Sequence, residues 1–191
     1  MKKILLILII GFISSVQAQK KNCSIDYEVK NDSVDLIKLN DKLIFEKNFN
    51  EKNESLFFSL IRSGDENVLQ FQWLEKSKDF TINRCFNADS EIRIDLINAD
   101  FVNLKIYDND VCATLVFDEV QQNNLRILNT YFRIEPQDLE KLLASKMSLL
   151  TVNFSTGKEY YNITDKLISE NSKTESKPAF FFIEEIPCLK K

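Results

Sequence analysis

Apolar and polar residues alternate through the middle of the chain, in the period-two pattern of half-buried strands. In NVLQFQWLEK, Leu69, Phe71 and Trp73 alternate with other residues, and in EIRIDLI, Ile92 and Ile94 share one face. The segment ESLFFSLIRS precedes NVLQFQWLEK and is joined to it by the turn SGDE. These two segments are therefore predicted to pair as a β-hairpin.

More short strands follow, separated by polar turns. The turns NADS, NAD and DND separate the apolar segments EIRIDLI, FVNLKIY and VCATLVFDEV, and the polar patch QQNN precedes LRILNTYFRI. Short strands with tight turns are typical of antiparallel sheets rather than of βαβ units. The predicted fold class is mainly β, an antiparallel β-sandwich or open barrel of short meander strands.

Two segments depart from this pattern. EPQDLEKLLASK has Pro136 at a first helical position and leucines at helical spacing, so it predicts a short amphipathic helix over about 136–146. SLLTVNF and EYYNI then form a hairpin around Gly157. After a polar linker at 169–177, residues 178–188 fit a buried strand or a helix that Pro187 ends. The helix is the favoured interpretation.

The N-terminus has the features of a secretory signal peptide. Lys2 and Lys3 precede an apolar run too short to span a bilayer comfortably, and Val16 and Ala18 suit cleavage after Ala18. The predicted organisation is a signal peptide at 1–18, an N-terminal extension at 19–40 and a single β-rich domain at 41–191. The predicted location is the periplasm or the extracellular medium, without membrane insertion after cleavage. The alternative is an uncleaved N-terminal anchor.

Four cysteines remain after this cut: Cys23, Cys85, Cys112 and Cys188. An even number in an oxidising compartment predicts disulfides, although three pairings are open. No two are spaced as C-x-x-C, which disfavours zinc and thioredoxin-like chemistry. Lipidation of Cys23 is disfavoured because lysines and an asparagine, rather than small residues, precede it.

Composition excludes several classes of function. The net charge is −4, and it becomes −6 without Lys2 and Lys3, which argues against nucleic acid and anionic membranes as partners. Histidine is absent, which removes Ser-His-Asp and Cys-His catalysis and histidine-ligated metals. We expect no cofactor, no metal and no enzymatic activity.

The polar clusters have simple structural interpretations. Two acidic clusters carry oxygen ligands suited to calcium, and turns are the simpler interpretation of both. They are Asp108, Asn109 and Asp110, and Asn87, Asp89 and Glu91. The adjacent carboxylates Asp118/Glu119 and Glu184/Glu185 do not face each other across a cleft, as glycoside hydrolysis needs. Most of the strand aromatics are expected in the core, although a ligand platform is an alternative for Trp73, Tyr107, Tyr131, Tyr160 and Tyr161.

The chain runs from a strand meander through YFRIEPQDLEKLLASKMSLLTVNFSTGKEYYNI and a polar linker to an apolar end. This order of elements resembles that of uncharacterised secreted proteins of Bacteroidota. The resemblance covers about residues 56–189 and is carried by Tyr131, Leu139, Leu142, Gly157, Cys85 and Cys188. It implies export and fold but no activity. DSV at Asp32–Val34 is similar to the O-glycosylation signal of those bacteria, which would modify Ser33.

The expected function is that of an exported, non-enzymatic, protein-binding domain. One alternative is a periplasmic immunity protein or inhibitor of a secreted toxin or enzyme, whose acidic surface would suit a basic partner. Another is a structural module of the envelope. A carboxylate-based enzyme, and a lipid or small-molecule binder between the sheets, are further alternatives.

Overall fold

The computed structural model describes residues 23–80, 82–107 and 110–189, so the predicted signal peptide lies outside the described residues. The chain is mostly β, with a curled antiparallel sheet that forms half a barrel and few helices. The predicted fold class is therefore confirmed. None of the helices in the described part is long and apolar enough to cross a membrane.

The strands follow one another with short connections. In chain order they are β1 (Ile25–Lys30), β2 (Asp35–Leu39), β3 (Lys42–Phe49), β4 (Lys52–Ser63), β5 (Glu66–Ser77), β6 (Cys85–Phe86), β7 (Glu91–Leu96), β8 (Phe101–Lys105), β9 (Val111–Cys112), β10 (Thr114–Asp118), β11 (Asn123–Ile134), β12 (Met147–Phe154), β13 (Gly157–Asn162), β14 (Leu167–Ile168) and β15 (Glu175–Ser176).

A seven-stranded sheet is the largest part of the fold. Its strands lie in the order β1-β2-β4-β5-β11-β10, and β3 pairs with β4 beside β2. The predicted hairpin is present as β4 and β5, and Gly64 in its turn has φ +57°. A second sheet has the order β13-β12-β7-β8, and β6 with β9 and β14 with β15 form two small pairs.

The inner face of the seven-stranded sheet carries the core. Aligned residues form three rows across β4, β5 and β11: Leu60/Leu69/Phe132, Phe58/Phe71/Thr130 and Leu56/Trp73/Leu128. All of these side chains are buried. The ring of Phe86 lies 5.5 Å from Phe71 and 4.8 Å from Phe154 of β12, so it joins the two sheets. Phenylalanine rings thus fill much of the interior.

Two helices close the rest of the core. α1 (Pro136–Ala144) has Pro136 in its first turn and buries Leu142, which confirms the predicted helix. A 3-10 turn (Pro178–Phe180) leads into α2 (Phe181–Leu189), whose Phe181 and Phe182 rings lie 5.5 and 6.3 Å from Phe58. The helix interpretation of 178–188 is therefore correct.

The prediction that Pro187 ends this helix is wrong, because the proline lies inside α2. Proline lacks the N–H that would reach the carbonyl of Ile183, and this normally disfavours a helix interior. Here the last turn is held from outside: Cys188 forms a disulfide with Cys23, and Leu189 is buried. Tertiary contacts outweigh the local preference.

Two predicted segment boundaries also differ from the structure. The predicted N-terminal extension at 19–40 is part of the domain, because β1 and β2 belong to the large sheet and Ile37 and Leu39 are fully buried. The polar linker at 169–177 contains β15, which pairs with β14 directly before the linker. Its Ser169 is buried and donates to Glu46 of β3 over 3.0 Å, so a polar side chain anchors this segment.

Candidate functional site

A row of charged residues continues the inner face of the large sheet where the apolar rows end. Glu54 of β4, Glu75 of β5 and Arg126 of β11 are aligned across the strands. The two glutamates are directly opposite each other, an arrangement that is destabilising without a cation. The side chain of Glu75 is fully inaccessible to solvent. This end of the sheet therefore requires positive charge close to its surface.

Arg84 supplies that charge. Its Nη1 lies 3.0 Å from Glu75, and Nη2 lies 2.6 Å from Glu159 and 3.9 Å from Glu54. The guanidinium also stacks over Trp73, 4.2 Å from the ring centroid. The planar shape of arginine allows it to stack on a ring and to bind carboxylates through its edges at the same time. We call these residues the Arg84 cluster.

The cluster contains two further polar groups. Lys52 lies 2.5 Å from Glu75, so this buried carboxylate meets two cations. The Tyr161 hydroxyl lies 3.0 Å from Glu54 and 2.8 Å from Glu159, and it donates its proton to one of them. Glu54 also accepts a bond of 2.7 Å from the Trp73 indole. The cluster thus ties β4 and β5 to β13 of the second sheet.

The electrostatics of the cluster keep its charges fixed. Burial lowers the pKa of Arg84, but its hydrogen bond to Glu159 and the nearby carboxylates outweigh this and raise that pKa overall. Burial, followed by the negative charges of Glu54 and Glu159, raises the pKa of Tyr161 far above its usual value. The arginine therefore remains charged and the tyrosine remains neutral, which is the arrangement of a structural ion network.

A cavity of about 420 Å³ opens beside the cluster. Its walls include Arg84, Glu75 and Glu159, whose charges are already paired, and two apolar residues, Phe80 and Ile82. Both apolar side chains are 80% exposed. The exposure of these two large apolar groups makes the mouth of the cavity a candidate contact surface.

Phe80 and Ile82 belong to a loop that we call the rim loop, residues 78–80 and 82–84. Backbone and side-chain bonds fix this loop against β11 and against Ala113, the residue between β9 and β10. They are Asn124 Nδ2 to the Lys78 carbonyl (3.1 Å), Arg126 Nη1 to Asn83 Oδ1 (3.2 Å) and the Ala113 N–H to the Arg84 carbonyl (2.9 Å). The apolar side chains of the loop are thus held out from an anchored backbone.

β10 forms the open edge of the large sheet next to this loop. It pairs with β11 on one side, and the strand order of the described residues ends with it. Leu115, Val116 and Phe117 are 41%, 46% and 51% exposed. Leu115 is opposite Arg126, the residue that is bonded to Asn83 of the rim loop. We call Leu115, Val116, Phe117, Phe80 and Ile82 together the apolar edge.

Other sheet edges carry charges. β1, at the far end of the large sheet, contains Asp26, Glu28 and Lys30, and β13 contains Lys158 and Glu159. Charged side chains on an edge strand prevent pairing with other chains, whereas an exposed apolar edge favours it. The central three residues of β10 carry no charge. The apolar edge is therefore the best candidate functional site.

The structure pairs the predicted disulfide cysteines. Cys23 bonds to Cys188, which we call the terminal disulfide, and Cys85 bonds to Cys112, which we call the cross-strand disulfide. The second pair lies directly opposite in β6 and β9. Two disulfides indicate a chain that folds in an oxidising compartment outside the cytoplasm. Sequence had predicted these bonds without choosing their pairing.

The other predicted positions lie apart from one another. Ser33 is at the exposed tip of the β1–β2 hairpin, where its N–H binds Asn31, and its glycosylation stays a prediction. Asn87 receives the Asp89 N–H within a turn, as expected. Asp108 and Asn109 lie outside the described residues. No group of three potential metal ligands occurs in the part of the chain that the structure describes.

The carboxylate pairs and aromatic residues are also separated. Asp118 caps a turn by accepting two backbone N–H groups, and Glu185 is buried in α2 with Lys42 3.9 Å away. Trp73 and Tyr161 are buried in the core and the Arg84 cluster, whereas Tyr107 and Tyr160 are exposed. These residues therefore do not form a single aromatic platform.

Sequence reasoning missed both the Arg84 cluster and the apolar edge. The cluster joins residues far apart in the chain, so no local motif marks it. The edge did leave a signal, since Leu115, Val116 and Phe117 are three consecutive apolar residues in one strand. Three apolar neighbours cannot all point into one core, because successive side chains of a strand point to opposite faces.

Comparisons with known proteins found no match for this chain. It matches no family model, and no match was found among curated proteins or solved structures. The resemblance to secreted Bacteroidota proteins therefore stays a prediction.

Proposed function

We propose that this chain is an exported, non-enzymatic domain that binds another protein chain through the apolar edge. The observation that carries the proposal is the run Leu115, Val116 and Phe117, half exposed on an open strand. The rim loop, which carries the exposed Phe80 and Ile82, is bonded to the neighbouring strand β11. The two disulfides support a role outside the cytoplasm.

The chemistry of the edge favours a protein partner. An open strand presents unpaired backbone N–H and C=O groups in a regular row, and an added strand satisfies them with main-chain hydrogen bonds. Apolar side chains on both faces of β10 add hydrophobic contact, which is worth roughly 25 cal/mol for each Å² removed from water. A polar small molecule would use neither feature.

A photo-crosslinking experiment in the native host tests this proposal. A photoreactive amino acid replaces Val116 in one strain and Glu28, an exposed residue on the charged edge strand β1, in a matched control strain. We expect a discrete protein adduct from position 116 and none from position 28. The adduct is identified by mass, and the partner, whether this chain or another, is then purified.

Affinity measurements complete the test. Calorimetry compares wild type with Val116→Lys and Glu28→Lys for the identified partner. Lysine at the centre of the edge should weaken binding by about tenfold or more, which is 1.4 kcal/mol, while the control should differ little. No adduct at position 116, or equal affinities for wild type and Val116→Lys, would show that the apolar edge is not a binding surface.

A further inference from the structure

The sequence of β10 is compatible with pairing to itself. TLVFD is a five-residue strand with Val116 at its centre and an apolar residue on either side. We propose that the protein bound at the apolar edge is a second copy of this chain, paired antiparallel through β10 across a two-fold axis at Val116. This inference rests on the proposed function and names the partner at that same edge.

Antiparallel pairing around Val116 gives each residue a suitable neighbour. Leu115 faces the partner's Phe117, and Phe117 faces the partner's Leu115, so two apolar pairs lie on the inner face. Thr114 faces the partner's Asp118, where its hydroxyl can donate to the carboxylate. Direct cross-strand pairs of this kind are the unit of sheet stabilisation, worth roughly 0.2–1 kcal/mol each relative to alanines.

Electrostatic repulsion does not prevent the pairing, although the chain is acidic. Asp118 lies two residues from the axis, so the two Asp118 side chains are four residues apart along the strands, or roughly 14 Å. This exceeds the Debye length of about 8 Å at physiological ionic strength. No acidic residue lies between Thr114 and Phe117.

The rim loops enlarge the contact beyond the strands. Phe80 and Ile82 are each 80% exposed, and the loop is bonded to Arg126 opposite Leu115. Five paired residues alone make a small interface, but an isologous contact uses every exposed side chain twice. Stable interfaces bury about 1,200–2,000 Å² in total, and we expect a dimer near the lower end with a dissociation constant in the micromolar range.

Engineered cysteines test the register. Directly opposite residues have Cβ atoms about 4.5–5.5 Å apart, while diagonal neighbours are about 7–8 Å apart. The cross-strand disulfide shows that this chain bridges directly opposite positions. Under mild oxidation, Val116→Cys should give a covalent dimer by non-reducing mass spectrometry. Leu115→Cys should give little dimer, because the two positions are diagonal, and Glu28→Cys should give none.

Sedimentation of the purified mature domain supplies the independent measurement. Wild type should shift from monomer to dimer as its concentration increases, and Val116→Lys should remain monomeric with an unchanged melting temperature. A wild type that stays monomeric at the highest soluble concentration, or equal cross-linking at positions 115 and 116, overturns the inference. A photo-adduct of position 116 with a different protein would retain the proposed function while excluding the second copy.

Discussion

Replacing Arg84 by methionine gives the most direct test of how the charged end of the sheet is stabilised. Methionine keeps most of the stem volume but removes the cation. The buried Glu75 then loses its contact with Arg84 but keeps its contact with Lys52, and the Trp73 ring loses its stacked guanidinium. Glu54 and Glu75 remain opposite each other on neighbouring strands.

The size of the effect follows from these losses. Removing one partner of a buried ion pair costs about 3–5 kcal/mol, and the stacking contact adds up to about 2 kcal/mol. Because Lys52 stays and Arg84 is 13% exposed, we expect the lower end, about 3 kcal/mol at neutral pH. For a domain of this size the melting temperature should fall by roughly 6–12 °C.

Urea unfolding with the disulfides intact measures this loss directly. The matched control is Arg93→Met: Arg93 also stacks on a ring, Phe101 at 3.7 Å, and pairs with a carboxylate, Asp95 at 2.8 Å, but it is 41% exposed. The control should lose less than about 1 kcal/mol. A loss below about 1 kcal/mol for Arg84→Met, or equal losses for the two variants, would refute a stabilising role for the cluster.

Three further predictions concern the covalent frame, one surface ion pair and one turn. Replacing both cysteines of one disulfide by serine should lower the free energy of unfolding by about 1.6 kcal/mol more for the terminal disulfide than for the cross-strand disulfide. The reason is that the two bonds close loops of 165 and 27 residues, respectively. Thermal unfolding measures both losses, and equal losses would contradict the chain-entropy account. The hydrogen bond from Arg62 lowers the pKa of Asp35 below 3.8 in the folded protein. The ionised Asp35 therefore stabilises the folded protein above pH 3.8, and this contribution is lost as the pH falls through the pKa of Asp35 in the folded state. Urea titrations should therefore find Asp35→Asn less stable than wild type at neutral pH, with the difference disappearing in acid. Gly157 has φ +140°, which side chains rarely adopt, so Gly157→Ala should cost about 1–3 kcal/mol by urea unfolding, whereas Gly64→Asn at φ +57° should be nearly neutral.

The large strands were predictable because their signal is local. Alternating apolar residues at Leu69, Phe71 and Trp73 select one face regardless of what covers it, and the turn at Gly64 fixes the register of the hairpin. α1 was predictable for the same reason, since Pro136 and the leucine spacing lie within a single segment. The β1–β2 hairpin was missed although Ile37 and Leu39 alternate with Lys38, because the run is short and its surroundings are polar.

The sequence by itself therefore determined the mainly β class, the central hairpins, α1 and the presence of disulfide-forming cysteines, all of which depend on spacing along the chain. Tertiary structure alone decided the cysteine pairing, the passage of α2 through Pro187, and the assembly of Arg84 with Glu54, Glu75 and Glu159. It also decided which apolar residues remain outside. Whether Leu115 or Phe117 is covered depends on which strand lies beside β10, and that is a property of sheet order rather than of the residues themselves.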